Sequence, residues 1–178
     1  MPNIFSNQNI QNFYQTAYKK DFARKNLFRV ISIETGITGL SFDESDLVYV
    51  TATSLPKRDI TNIPVKYMGL QFNVPGTATY TGNDSWNVTF RMPQDLAIRR
   101  KLETWNRALF DDATSTGLYE LKYMGTVTLA LMDKAGLPIR TYKLIGAYCR
   151  SIGDYTLDAT DGGSIVEQQA TLAYQFWQ

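Results

Sequence analysis

The sequence predicts a mainly β domain: a β-sandwich or barrel with one flanking α-helix. Short runs with a two-residue apolar period recur along the chain, and Gly, Pro and Asp turns separate them. One run changes to a helical period. The chain has 178 residues, of which 44% are hydrophobic and 20% charged, which suits one domain with a buried core. We expect a single domain over residues 1–178, with residues 1–20 as an Asn/Gln-rich N-terminal arm.

The strands are placed by alternation and by turn residues. Leu27–Glu34 alternates between two faces, and Gly36 and Gly39 end the run. The further expected strands are Leu47–Thr53, Val65–Val74, Trp86–Met92, Tyr119–Met132, Ile139–Ile152 and Gln168–Trp177. About seven strands with one helix favour a sandwich or barrel.

Residues 54–64 (SLPKRDITNIP) are expected to form a long connection bounded by two prolines. The strand that follows shows no clear apolar side. Alternation puts Lys66, Met68, Leu70, Phe72 and Val74 on one face and Val65, Tyr67, Gly69, Gln71 and Asn73 on the other. A sheet of this kind leaves edges that can pair with copies of the chain and close a large barrel.

The helix is expected within residues 94–110 (QDLAIRRKLETWNRALF). One apolar stripe with offsets of 4, 3 and 4 residues predicts it: Ile98, Leu102, Trp105 and Leu109. Pro93 suits a first helical position, and Asp95 suits the positive end of the helix dipole. The basic run 99–101 is expected on a solvated face or in a charge contact with a partner, ahead of DNA binding.

The residue inventory excludes several chemistries. The chain has no histidine, which removes Ser-His-Asp and Cys-His nucleophile systems and most zinc sites. Its one cysteine, Cys149, lies in a strand-like run and is expected to be buried. Asp158–Gly163 is too short for a calcium loop and is interpreted as a turn, and the pair at 111–112 as a loop cap. We therefore expect no enzyme activity, no metal and no cofactor.

Charge and hydropathy weigh against a nucleic-acid-binding protein, a membrane protein and a secreted protein. The formal net charge is +1, whereas a dedicated nucleic-acid binder is usually strongly basic. No stretch reaches the ~18 apolar residues that a membrane span needs. The first residues show no secretory signal pattern. Folding in a cytoplasm without a membrane anchor is expected.

The residues then match a known family. Asp21–Phe28 reads DFARKNLF and resembles the DFARPNLF segment near the start of tail tube proteins from contractile-tailed bacteriophages of the T-even type. Further matches, with x for unmatched positions, are ATxLP at 52–56, IPV at 63–65 with Met68, NV at 73–74, DxWxVT at 84–89, RxKLxxW at 99–105 and TLAYxFW at 171–177. They occur in order from residue 21 to 177. Lys25 stands where the family pattern has Pro, the N-terminus is longer, and residues 39–46 are an insertion.

The resemblance implies a structural subunit of a virion tail. Six subunits would form a ring, each lending strands to one continuous barrel around a lumen, and the rings would stack into a rigid tube. The implied partners are copies of the chain, a tail sheath protein outside, a tape-measure protein and later genomic DNA in the lumen, and baseplate and tail-terminator proteins at the ends. Assembly would take place in the host cytoplasm.

Two segments are candidates for contacts between subunits. In the first, Asp21 and Arg24 are near enough to pair with a neighbour or with each other, and Phe22 and Phe28 could anchor the segment by burial. The second segment is residues 54–64, and the resemblance implies that it reaches the adjacent subunit or ring. Its candidates are Leu55, Pro56, Lys57, Arg58, Asp59, Ile63 and Pro64, with the charged residues 57–59 as stacking contacts.

Three alternatives remain at this stage. The first is a baseplate or tube-initiator paralogue, which would form one ring and not stack. The second is the tube of a phage-derived contractile injection system, which would carry no genome. The third is a β-sandwich hydrolase or glycan-binding module, and glycan binding by a soluble monomer would favour the glycan-binding module. The absent histidine and ligand motifs weigh against the hydrolase.

Overall fold

The structure is a computed structural model that describes residues 7–117 and 120–178. Its helices are α1 (Asn7–Lys20), α2 (Glu44–Leu47), α3 (Ala97–Leu109) and α4 (Glu120–Tyr123). Its strands are β1 (Phe28–Glu34), β2 (Val50–Thr53), β3 (Asp59–Tyr67), β4 (Leu70–Thr79), β5 (Trp86–Arg91), β6 (Phe110–Asp111), β7 (Thr116–Gly117), β8 (Gly125–Met132), β9 (Pro138–Ile152), β10 (Glu167–Ala173) and β11 (Phe176–Trp177). Tyr119, the expected start of one strand, and residues 1–6 of the expected arm lie outside the described residues.

Seven strands form one antiparallel sheet in the order β1-β8-β9-β10-β5-β2, with β11 paired to β9 beside β10. The mainly β class with a flanking helix is confirmed. Among the described residues β1 and β2 are the two edges of this sheet and do not pair with each other, so the single chain forms no closed barrel.

The long strand β9 joins the two halves of the sheet. Its first part pairs with β8 up to Ala147, and its last part pairs with β10 from Tyr148 onwards. Gly146 lies at the change of partner with a φ of 71°, a conformation that favours glycine. A Cβ there would also lie 2.6 Å from Cγ of Gln175. Both halves contribute to one core, with Val127 from β8 and Phe90 from β5 among its fully buried members.

The predicted apolar stripe of the helix is confirmed for three of its four positions. Ile98, Leu102 and Trp105 are fully buried, whereas Leu109 is half-exposed. The placement of Pro93 at the first helical turn was wrong. Leu96 has a φ of 54° and α3 begins after it, so the chain cannot be helical through this point.

The predicted connection at 54–64 and the strand Val65–Val74 were both wrong. A two-residue turn at Met68-Gly69 reverses the chain and makes a hairpin of β3 and β4. Both turn residues have positive φ, 48° and 82°, which is the type I′ geometry that suits the twist of paired strands. The sequence signal is weak because methionine is an unusual residue for a left-handed position.

Gly125 provides a test of the sheet packing. A Cβ at this position would lie 2.0 Å from the carbonyl oxygen of Glu34 and 3.1 Å from that of Ala147. Because backbone blocks both sides, we expect Gly125→Ala to lower the free energy of unfolding by about 1–3 kcal/mol. The measurement is a denaturant titration of dilute protein. Gly162→Ala is the matched control, since nothing lies within 4 Å of its added Cβ; equal stability of the two variants would contradict the prediction.

Candidate assembly interface

The hairpin of β3 and β4 has one entirely apolar face. Residues directly opposite each other in an antiparallel pair share a face. Three such pairs are apolar: Ile63 with Val74, Val65 with Phe72, and Tyr67 with Leu70. Their side chains are 45–68% exposed, so the face is bare in the single chain. The expectation that this segment has no apolar side was therefore wrong. The two-residue turn places odd-numbered residues before it and even-numbered residues after it on the same face.

The other face of the hairpin is mainly polar. The residues that form it also direct their backbone N–H and C=O groups towards the outer edges of the hairpin. It carries the pairs Lys66 with Gln71, Pro64 with Asn73, and Asn62 with Pro75. In a two-residue hairpin the residues beside the turn form a hydrogen-bonded pair, and bonded and non-bonded pairs then alternate along the strands. The pairs on the polar face are the non-bonded ones, so their backbone groups point away from the partner strand. Each outer edge therefore offers N–H and C=O groups to a further strand, and a proline removes one donor from each edge.

Nothing in the described part of the chain covers the apolar face. Neither strand of the hairpin has a substantial contact with a helix or strand other than its partner. An isolated two-stranded hairpin is marginally stable in water, and exposed apolar patches mark interaction surfaces. The arrangement can bind other protein chains through apolar contact and strand pairing.

The second candidate segment lies at the base of this hairpin. The Lys57 ammonium and the Asp59 carboxylate form an ion pair at 3.0 Å. The hydroxyl of Thr81, and next Lys57, lower the pKa of Asp59. The indole N–H of Trp177 donates to the Lys57 carbonyl at 3.3 Å. Arg58 is exposed.

The apolar candidates of this segment differ in exposure. Leu55 is 49% exposed and Pro56 is half-buried. Ile63 belongs to the apolar face and Pro64 to the polar face. The segment is thus an anchored strand start and not the long loop expected from the sequence.

The first candidate segment is held by its own chain. Asp21 forms an ion pair with Lys134 in the turn between β8 and β9, and that hydrogen bond lowers the pKa of the Asp21 carboxyl. Phe28 is partly buried against the core. Phe22, in contrast, is 64% exposed, because this stretch runs outside the core, and its ring stacks on Phe13 at 6.1 Å. The Arg24 side chain is exposed.

The basic run of α3 is engaged within the chain. Arg99 donates to Glu103 at 2.8 Å and also to the buried Gln168. Arg100 donates to the carbonyl of Asp95 at 2.6 Å. Arg99 is partly buried by these contacts, Arg100 is exposed as expected, and a charge contact with a partner stays a prediction.

Lys101 completes this run. Its ammonium binds Asp46 at 2.5 Å, and this hydrogen bond raises the lysine pKa. Asp46 in turn accepts a hydrogen bond from the backbone N–H of Asp43 at the start of α2. Arg99 and Lys101 thus connect α3 to β10 and α2 and are each paired with a carboxylate, whereas Arg100 donates to a neutral carbonyl.

The remaining titratable motifs are structural. Cys149 is buried, and burial raises the pKa of its thiol to about 12. Asp158 and Asp111 accept hydrogen bonds from nearby backbone N–H groups, which confirms the turn and loop-cap interpretations. In the part of the chain that the structure describes, no three His, Cys, Asp or Glu side chains are grouped as a metal site. No described helix has the length and hydropathy to cross a membrane.

Comparisons with known proteins agree with this geometry. The tail tube protein gp19 of Enterobacteria phage T4 is 26% identical over 160 residues, which are 89% of this chain and 92% of that protein. The gp19 protein of Enterobacteria phage T6 matches with the same identity and coverage.

Solved structures share the fold. A chain of the anti-feeding prophage baseplate has a TM-score of 0.62 at 16% identity, covering 89% of this chain and 95% of its own. A chain of the PVC sheath-tube complex, an extracellular contractile injection system, has a TM-score of 0.55 at 19% identity, covering 92% and 96%.

A family profile decides the assignment. The profile described as phage tail tube protein matches residues 14–178, which is nearly the whole chain but leaves out the first half of α1. The matched region contains the complete sheet, α3 and the bare hairpin. This chain therefore belongs to the phage tail tube protein family, and it is a structural protein of the virion tail.

Proposed function

We propose that this chain assembles into hexameric rings that stack into the inner tube of a contractile phage tail. The observation that carries the proposal is the bare apolar face of the β3–β4 hairpin, together with its two open edges. The hairpin contributes little to the core of its own chain. Its burial therefore depends on neighbouring copies.

Strand pairing gives the ring its continuity. A hairpin that pairs edge to edge with strands of its neighbours on both sides removes every open edge when the ring closes. Heterologous contacts of this kind generate rings when the rotation closes. The resulting barrel would surround a lumen for the tape-measure protein and later for genomic DNA.

Electrostatics support a conduit. The net charge is +1, and Arg99 and Lys101 on α3 are each paired with a carboxylate of the same chain. Basic walls would bind DNA through counterion release and hinder its passage. We infer a non-enzymatic role without a cofactor. The sheath would surround the tube, with baseplate and terminator proteins at its ends.

The two candidate segments are assigned to contacts between subunits. Residues 21–28 would contact a neighbour through the exposed Phe22 and Arg24. Lys57, Arg58 and Asp59, beside the hairpin base, would contribute to ring stacking. Electron microscopy of the purified protein with its mass tests the whole proposal: stacked six-fold rings support it, single rings favour the initiator paralogue, and a strict monomer overturns it.

Removing apolar side chains from the hairpin is expected to weaken assembly. Val65→Ser with Phe72→Ser removes one cross-strand apolar pair. A fully buried side chain of this size contributes about 1.5–3 kcal/mol, so the concentration needed for assembly should rise about 100-fold or more. Sedimentation over a concentration series measures it. Lys66→Ser with Gln71→Ser changes the neighbouring pair on the polar face, and an equal effect of both variants would count against the apolar face.

Replacing Lys57, Arg58 and Asp59 by Ala is expected to weaken stacking. The subunit should stay folded, because exposed ion pairs contribute about 0–1 kcal/mol to stability. Tube length and dissociation in salt, seen by electron microscopy, are the readouts. Arg91→Ala with Glu167→Ala removes an exposed pair on the main sheet as a control. Tubes of unchanged length and salt resistance would remove these residues from the stacking contact.

A further inference from the structure

The N-terminal helix α1 presents an apolar stripe to solvent. Its fourteen residues include apolar side chains at the spacing of one helix face: Ile10, Phe13, Tyr14, Ala17 and Tyr18. The four large side chains of this stripe are 51–93% exposed. The remaining side chains are mainly Asn and Gln, and the helix contains no acidic residue.

A helix of this length is not stable alone. Isolated helices of about 12–15 residues are marginal in water, so the apolar stripe needs a packing partner. Within the described residues the aromatic contacts of α1 are Phe13 with Tyr14 in the same helix and with Phe22 just after it. No other helix or strand makes a substantial contact with α1. The helices and strands of the described residues therefore leave the stripe largely uncovered.

The hairpin face fits this stripe in size and chemistry. The helix is about 21 Å long, and strands of nine and ten residues extend about 30 Å. The hairpin face carries no charged side chain, and the stripe carries none. Joining them removes apolar area from water without desolvating a charge.

Two other exposed surfaces fit less well. The segment 153–166 carries exposed Leu157 and Ile165, but its three carboxylates, at 154, 158 and 161, have no cation on α1's stripe to meet them. The groove beside β1 is lined in part by Arg29, Asp133 and Lys134. A neutral helix face would desolvate charges at either place without compensation.

We propose that α1 of one copy packs across the apolar face of the β3–β4 hairpin of a neighbouring copy. The inference rests on the proposed self-assembly and names the element that covers the hairpin. Half-exposed aromatic and aliphatic side chains would bury on the order of 500 Å² per partner. The total of about 1,000 Å² lies below a standard stable interface, so this contact would be weak between two isolated copies and stronger within a ring.

Cross-linking between two variants, each with one added cysteine besides Cys149, tests the contact. Ala17→Cys protein is mixed with Val65→Cys or Val74→Cys protein, and one variant carries a mass tag so that mixed products are identified. A short bismaleimide is then added and the products are separated by mass. Cys149 interferes little because it is buried and its thiol pKa is about 12. We expect several-fold more mixed product than with the controls.

The control cysteines lie close to the test positions in the sequence but on the opposite face of the hairpin or of α1. Lys66→Cys and Asn73→Cys lie next to the test positions on the polar face of the hairpin. Asn12→Cys lies on the side of α1 opposite Ala17 at about 100° per residue. Equal yields from test and control mixtures, or no mixed product in assembled protein, overturn the inference.

Failure of the α1 contact can be distinguished from failure of the proposed tube assembly. Rings and tubes that form normally without preferential linking remove the α1 contact and leave the tube. If the unaltered protein forms neither rings nor tubes, the proposed function fails. The same cross-linking in concentrated protein then still decides whether α1 meets the hairpin of another copy.

Discussion

The fold depends on the long strand β9, whose first part pairs with β8 and whose last part pairs with β10. β8 pairs along one edge, β10 and β11 pair along the other, and α3 packs against the same strand. The side chain of Asn106 on α3 donates to the backbone carbonyls of Cys149 and Arg150 at 2.9 and 3.2 Å. Gly146 permits the change of partner that this arrangement requires. In the described part of the chain, the strands at the two ends of the sheet are β1 and β2.

Folding and assembly therefore use different surfaces. The buried core is made mainly by the main sheet and α3, whereas the hairpin contributes no buried apolar side chain to it. A subunit can reach its folded state before its neighbours arrive, and the hairpin faces are completed afterwards. The prolines at 64 and 75 each remove one outward N–H. Such edges pair less readily with unintended strands, which suits the proposed assembly.

The sequence predicted the elements whose signals are local. The stripe of Ile98, Leu102 and Trp105 identified α3, and alternation located β1 and β5 within a few residues. The hairpin was missed because the turn residues are atypical. A signal was present nonetheless: apolar residues fall on odd positions up to Tyr67 and on even positions from Leu70. Such a change of parity indicates a two-residue turn. The partners of Lys101 could not be predicted, because Asp46 lies 55 residues away in sequence.

The distribution of charge separates two kinds of contact between subunits. The hairpin's apolar face and the stripe of α1 are neutral, so any contact they make gains its free energy from apolar burial and is little affected by salt. Lys57, Arg58 and Asp59, beside the hairpin base, are charged and largely exposed, so contacts through them are screened as ionic strength rises. In a tube built from both, salt would loosen the contacts between rings before it opened a ring. In such a tube, apolar contacts of the hairpin would hold each ring together, and ionic contacts of residues 57–59 would hold one ring on the next.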